Sequence, residues 1–559
     1  MESSPYWRRF SEQRLSRRRA LKAGLVGLGG AGVALAGCGG GEEEPAAEGT
    51  PAPEGTATPR PYGTPRYGDR LILGLSADPG GLDPHLCVTC YWVAGNIHGF
   101  MYSVDIRDQS TQLQMAESYE RVDEVTYIWK LKPGIKFHDV DPTFGREVVA
   151  DDIVYSMTRR RDDPASQNDK QLLRDFTASF EATDKYTFQL VTTRPYAPAY
   201  DEIGNPSYAI VPHEAVEKWG DLQHHAVGCG AFILRDFVKA EKVILDRNPD
   251  FYMKGLPYTD GRDWIIVTDP STLLQAFKTK QHDYTTAALD KLKVQDLKKI
   301  EGVIVRESDN FWHPTLLLRV DRPPFVDKRM WEAVDLAVDR QDLIDKIAFG
   351  DGKFAGPIVA DLKYWALPQE ELREFYKVDL QKAKQLMEAA GYGDGVTVDV
   401  PVENVTNMAK YAEVVKEHLA KIGINCNLQL KELGVYLAQH LYQGNFQMTW
   451  YINLPYVEPD RPLGNWFSKG AAGFNFAGYN NPEMDEWVWK ERSEFDPEKR
   501  REIIHEAQRA MMREHGPQIN TTTSQGWVAY WDWVHGPETS AGMGSWGWLG
   551  VDTYLTDRH

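Results

Sequence analysis

Histidine, carboxylate and thiol side chains at short spacings are where chemistry would have to come from, and the chain offers several such places. His138-Asp139 could supply two members of a nucleophilic triad, but no G-x-S-x-G turn that would present a serine occurs in the 559 residues. His213-Glu214 and His505-Glu506 begin like a zinc-binding H-E-x-x-H helix; Glu217 and Arg509 stand where the second histidine is needed. Asp246-Arg247-Asn248-Pro249-Asp250 opens like a calcium loop, yet Phe251 holds the position of its glycine and Pro257 that of its bidentate glutamate. His224 and His225 are adjacent, so their side chains point apart, and no second ligand pair accompanies them. No phosphate-cradling G-x-x-x-x-G-K-[ST] loop occurs. These residues predict no catalytic centre, no metal site and no cofactor, so the chain is not expected to be an enzyme.

Thiols are the remaining candidates. Cys87-Val88-Thr89-Cys90 has the spacing of a redox motif, but a thioredoxin-like role needs that motif at a helix start after a strand. Here it follows Leu82-Asp83-Pro84-His85 instead. A structural disulfide is expected, either Cys87–Cys90 or one of them with Cys229. Cys426 alternates with apolar residues and reads as a buried core thiol.

The N-terminus places the protein outside the cytoplasm. Ser16-Arg17-Arg18-Arg19-Ala20-Leu21-Lys22 precedes an apolar run over 23–37, too short to span a bilayer, which takes roughly 20 helical residues. The arrangement resembles a twin-arginine export signal, with Ala20 where such signals usually carry Phe. Leu35-Ala36-Gly37-Cys38 resembles a bacterial lipobox, which makes Cys38 the expected mature N-terminus and lipid carrier. Residues 38–68, rich in Pro, Gly, Glu and Thr, cannot bury a core and read as a disordered tether. Without residues 1–37, which hold seven basic and two acidic residues, the formal charge of −18 becomes −23. That charge argues against nucleic acid as a partner and leaves membrane attachment to the anchor.

The body must supply the scaffold. Its length predicts two or three packed units, and 42% hydrophobic with 26% charged residues is the composition of a soluble globular chain. Val396, Val398, Val400 and Val402 alternate as a strand, 407–421 has helical composition, and Ile424, Cys426, Leu428 and Leu430 alternate again. Strand, helix and strand within about 35 residues predict a βαβ unit with parallel strands. Further helices are predicted from Asp379 to Ala390, stopped by Gly391, over 327–349, stopped by Gly350, and from Asp151 or Asp152. No period of 20–50 residues repeats, which speaks against a solenoid or an adhesin-like scaffold. The class is α/β with antiparallel additions.

Several segments, in order, resemble the extracellular solute-binding proteins of family 5, the dipeptide- and oligopeptide-binding group of ABC importers. They include Leu82-Asp83-Pro84-His85, Leu131 to Asp139, Ala150 to Ser156, Val227-Gly228-Cys229-Gly230-Ala231-Phe232, and Arg247-Asn248-Pro249-Asp250-Phe251-Tyr252. Pro323-Pro324-Phe325, Ala337 to Arg340, Lys382-Ala383-Lys384, Ala390-Gly391-Tyr392 and Asn475 with Gly478 to Asp485 continue the series. The resemblance covers about residues 69–530. It implies a two-lobed periplasmic-binding-protein-like fold with an additional domain, and a ligand enclosed between the lobes and not transformed. The implied domains are 69–103 with 190–267 and 515–559 as lobe I, 104–189 as the additional domain, and 268–514 as lobe II. The implied partners are the ABC permease and ATPase subunits, with the receptor a monomer. The resemblance also places His138-Asp139 at the end of a structural hairpin. Cys229 departs from the family, which more often has Thr or Asn there.

Peptide-binding relatives carry a W-x-x-D pattern whose Asp pairs with the ligand's α-ammonium. In Trp450-Tyr451-Ile452-Asn453 the matching position is Asn453, which is uncharged. Glu458 or Asp460 could substitute from the same loop, and Trp450, Tyr451 and Trp466 are candidate walls for the ligand. Oligopeptides are the expected ligand, oligosaccharides stacked on Trp450 or Trp466 the alternative, and a secreted hydrolase a remote third reading.

Overall fold

The computed structural model describes residues 64–558 apart from 88–89, 105–110, 167–171, 205, 287–288, 311, 405–406, 454–457, 469–474 and 537–551. The signal segment 1–37, Cys38 and the tether up to residue 63 lie outside the described residues. The tether boundary at 68 moves back: Arg66 pairs with Asp557 at 2.9 Å, the Tyr67 hydroxyl donates to Gly255 O, and Gly68 N donates to Tyr258 O. No helix among the described residues is long and apolar enough to cross a membrane.

Lobe I is built on a seven-stranded sheet in the order 303–308, 526–531, 284–285, 70–75, 261–266, 242–247, 232–238. Arg70–Leu75 runs parallel to both its neighbours, and the other pairings are antiparallel. Lobe I therefore extends past the expected limit at 267. Tyr284–Thr285 and Val303–Ser308 are strands of its sheet, and Phe277 and Leu297 sit in its core beside Trp531. The two-residue strand 284–285 is too short to show a period of two, so the sequence pattern missed it.

The expected additional domain has its own sheet and core. Its strands run antiparallel in the order 116–121, 126–131, 187–192, 177–182, with helix Ala150–Asp162 packed against 177–182 and 187–192. Trp129, Phe188, Ile153 and Met157 are buried there, and the core continues past 189 to Tyr196, Ile203 and Cys229. Two of the segments that carry the resemblance join this domain to lobe I. Asp83 accepts both Nη atoms of Arg159, at 2.9 and 2.6 Å, and also Leu222 N. Burial would raise the Asp83 carboxyl, but Arg159 outweighs it and holds it at about 2. Gly228 and Gly230 lie on the backbone of 96–98, where a Cβ on Gly228 would stand 2.2 Å from Ile97 O. Their carbonyls accept from His138 N and face His138 Nε2 at 3.1 Å, so His138 is a buried structural residue.

Lobe II contains the predicted βαβ unit. Val396–Glu403 and Ile424–Lys431 pair in parallel, joined by helix Met408–Ala420, with Val398, Val400 and Val402 buried beneath it. Asp379 Oδ1 accepts from Lys382 N at the start of helix Leu380–Ala389, and Gly391 adopts φ +87° beyond its end. The helix expected over 327–349 is two helices, Lys328–Ala337 and Arg340–Ile347. Asp339 breaks it by capping the second, accepting from Asp342 N, while Arg340 turns inward to Asn520 O. His313–Leu318 pairs antiparallel with Met448–Asn453 and Gln518–Asn520, and Thr522–Ser524 pairs with Gly352–Phe354. Residues 515–524 therefore belong to lobe II.

The chain passes between the lobes at 309–312 and again at 525, and the two passages are laced together. Asn310 Nδ2 donates to Ser524 O, Gln525 Nε2 to Ser308 O, and Thr523 Oγ1 to Trp312 O, at 2.8–2.9 Å. Each side chain binds the opposite segment's backbone, which ties together two crossing segments that run in opposite directions and form the hinge.

Candidate ligand-binding cleft

A cavity of about 300 Å³ opens at this hinge and is lined by both lobes and both crossing segments. Trp92, Asp290 and Trp527 come from lobe I, Phe349, Asp351 and Lys410 from lobe II, and Asn310, Trp312 and Gln525 from the crossings. The βαβ topology explains the lobe II share. Lys410 sits in the first turn of the helix that follows Val396–Glu403, at the carboxyl end of a parallel strand, where open α/β sheets bind ligands.

Local structure fixes most of the polar groups. Asp290 caps helix Lys291–Leu297 by accepting from Lys293 N at 2.9 Å, and it pairs with Lys293 Nζ at 3.1 Å. Asp309 pairs with Lys363 at 3.2 Å. Asn310 N donates to Asp361 Oδ2, which is itself paired with Lys353. Past helix Arg340–Ile347, Phe349 and Gly350 both adopt left-handed backbone, at φ +54° and +78°. That turn brings Phe349 O within 3.4 Å of Lys291 Nζ from the other lobe. It also pins Asp351, whose N donates to Ala348 O and whose O accepts from Gln525 N on the hinge. Among the described residues, neither the Asp351 carboxylate nor the Lys410 ammonium has a charged partner. Lys291, held only by the Phe349 carbonyl, has none either, so the cleft offers one carboxylate, two ammoniums and three tryptophans to a ligand.

The residues singled out in the sequence lie elsewhere. Trp450 is buried against Tyr411, Trp466 against Tyr479 and Tyr451 against Phe476, with ring centroids 5.3–5.9 Å apart. All three are buried core residues and none lines this cavity. Asn453 ends its strand opposite His313, next to the hinge, and its side chain lies outside the described residues. Glu458 and Asp460 are buried and already committed. Arg492 takes Asp460 from the Nε and Nη2 side, at 3.2 Å for Nη2, and the Tyr196 hydroxyl donates to Asp460 at 2.7 Å. Arg500 binds Glu458 and, at 2.8 Å, Glu491. Burial pushes the Glu458 and Glu491 carboxyls up, with neighbouring acids adding to the shift, while Arg492 draws Asp460 down. Neither acid is free to replace the missing carboxylate at 453.

The thiols resolve as well. Cys87 is bonded to Cys90, which begins helix Tyr91–Ile97 immediately before Trp92. Cys229 is a free buried thiol facing Met115 Sδ at 3.7 Å, pushed up to about 12 by burial, so pairing with it is excluded. Cys426 is buried and free. His224 stacks on Phe237 and His225 on Trp219, so the adjacent rings do point apart. Glu202, Glu458 and Asp460 bring carboxylate oxygens within 4.8 Å of one another, but two of these acids are tied to arginines. The missed cleft residues carried one usable signal: the turn after a βαβ strand is a binding position. Nothing local distinguished Trp312 or Trp527 from core tryptophans.

Comparison with known proteins places this architecture. Residues 111–474 match the model described as "Bacterial extracellular solute-binding proteins, family 5 Middle". A glutathione-binding protein, GsiB, of Salmonella typhi is 24% identical over 445 residues, spanning 76% of this chain and 82% of that one. The periplasmic binding protein DppA of Helicobacter pylori, solved with the peptide STSA, superposes with a TM-score of 0.78 at 23% identity, over 88% of this chain and 99% of that one. NikA of Staphylococcus aureus, solved with Ni(L-His)2, gives 0.70 at 19% identity, over 88% and 98%.

Proposed function

The chain belongs to family 5 of the bacterial extracellular solute-binding proteins, and on that premise we propose that it captures short peptides between its lobes and delivers them to an ABC permease. It is a transport component of the substrate-binding class. The single observation that carries the peptide reading is the cleft, which combines a carboxylate and ammoniums that have no charged partner among the described residues with three tryptophans in about 300 Å³. A zwitterion with apolar side chains matches each of these. The volume lies at the small end of ligand cavities, which run from about 300 to 1,000 Å³, and favours a few residues over a long peptide. The solved relative holding STSA supports the same class. An oligosaccharide would use the indoles but leave these charges without a partner, at a cost on closure.

We propose further that the chain is exported through its twin-arginine-type signal and held at the membrane by lipid on Cys38, with residues 39 to about 65 as the tether. Two acyl chains anchor stably, since each buried CH2 contributes about 0.8 kcal/mol.

Mass spectrometry of whatever small molecule leaves the natively exported protein on denaturation tests the ligand class. A peptide of two to four residues is expected. Adding it back at about 100 times its Kd should stabilise the fold by about 2.7 kcal/mol, with the peptide recovered intact. Recovery of a sugar, or hydrolysis of the peptide by pure protein, would overturn the reading.

A further inference from the structure

Three carboxylates line the cleft, and they are not equivalent. Asp290 caps a helix and holds Lys293; Asp309 holds Lys363. Asp351 has neither a cation nor a side-chain hydrogen bond among the described residues, although its backbone is tied at both N and O. The lysines of the facing lobe do not reach it. Lys293 is spent on Asp290, and Lys291 lies on the carbonyl of Phe349. The acid is held by a turn in which a phenylalanine adopts φ +54°, a conformation that non-glycine residues avoid and that the surrounding packing must enforce.

Asn453 carries no charge, and the two acids next in sequence, Glu458 and Asp460, are buried on Arg500 and Arg492. A ligand ammonium enclosed by the lobes would still need an opposite charge, because closure removes its water. We infer that Asp351, at the hinge, is the specificity-determining residue that receives the ligand's ammonium. Trp92, Trp312 and Trp527 line the same cavity, and indole faces attract a cation brought to that carboxylate. The inference rests on the peptide reading above and specifies which side chain recognises the amino terminus.

The test is calorimetric titration of wild type, Asp351→Asn and, as a control at an exposed acid away from the cleft, Asp394→Asn, with matched di- to tetrapeptides, free and N-acetylated. Wild type and Asp394→Asn should prefer the free peptide by at least about 30-fold. Asp351→Asn should bring the two forms within about threefold, by weakening the free peptide alone. The unfolding midpoint of ligand-free Asp351→Asn should match wild type, since its carboxylate has no partner among the described residues to lose. Retention of the wild-type preference in Asp351→Asn, or equal binding of both forms by wild type, overturns the inference and leaves the peptide reading standing. Failure of wild type to bind either form overturns both.

Discussion

At the joint between the additional domain and lobe II, Glu458, Asp460 and Glu491 share two guanidiniums, Arg492 and Arg500, all out of water. In the cleft, Asp351 and Lys410 have no charged partner among the described residues, Lys291 rests on a carbonyl, and Asp290 and Asp309 each hold one lysine. The joint uses charge to fix one domain against another: Tyr196 from the additional domain reaches Asp460, and Arg492 lies among Phe176, Phe467 and Trp489. The cleft leaves charge uncommitted, which a stable fold tolerates only near solvent. Proximity in sequence is therefore a poor guide to a binding carboxylate. Glu458 and Asp460, the acids that the sequence pointed to, serve the joint, whereas Asp351 lies about 100 residues earlier and lines the cleft.

Removing a joint cation should have the largest effect. Arg492→Leu leaves Asp460 buried without its partner and should cost about 3–5 kcal/mol in denaturant unfolding at neutral pH. A change under about 1 kcal/mol would mean that the joint does not depend on this pair.

A smaller and pH-dependent effect is expected at Glu458. Its folded carboxyl is raised from the ordinary 4.5 to about 7, so the folded state keeps a proton that the unfolded chain has released. Stability from this group is fully present below about 4.5 and falls as pH rises towards about 7. Glu458→Gln should flatten that decline in a series of melts from pH 4 to 8, and should gain relative to wild type as pH rises. A variant that is uniformly weaker at every pH would show that the contact with Arg500 dominates instead.

The elements that local pattern determines were legible in the sequence. The alternating valines of 396–402, the helix after them and the Asp379 cap appear as expected. So does the reading of His138 as structural. What failed depends on partners far along the chain. The lobe I strand 303–308 is recognisable only through its pairing with 526–531, more than two hundred residues later. Trp450 and Trp466 look like stacking platforms until Tyr411 and Tyr479 close over them. Glu458 and Asp460 look available until Arg492 and Arg500 arrive from the following helices. The single helix expected over 327–349 failed for a local reason, since Asp339 is a good cap wherever the chain lets it act.

The cleft itself is tested most directly by Trp312, which lies on the hinge segment and lines the cavity without belonging to either lobe's core cluster. Calorimetric titration of Trp312→Ala with the peptide recovered from native protein should show affinity at least about tenfold weaker, while the ligand-free unfolding free energy changes far less than in Arg492→Leu. Wild-type affinity in Trp312→Ala would place the ligand somewhere other than this cleft and contradict the account.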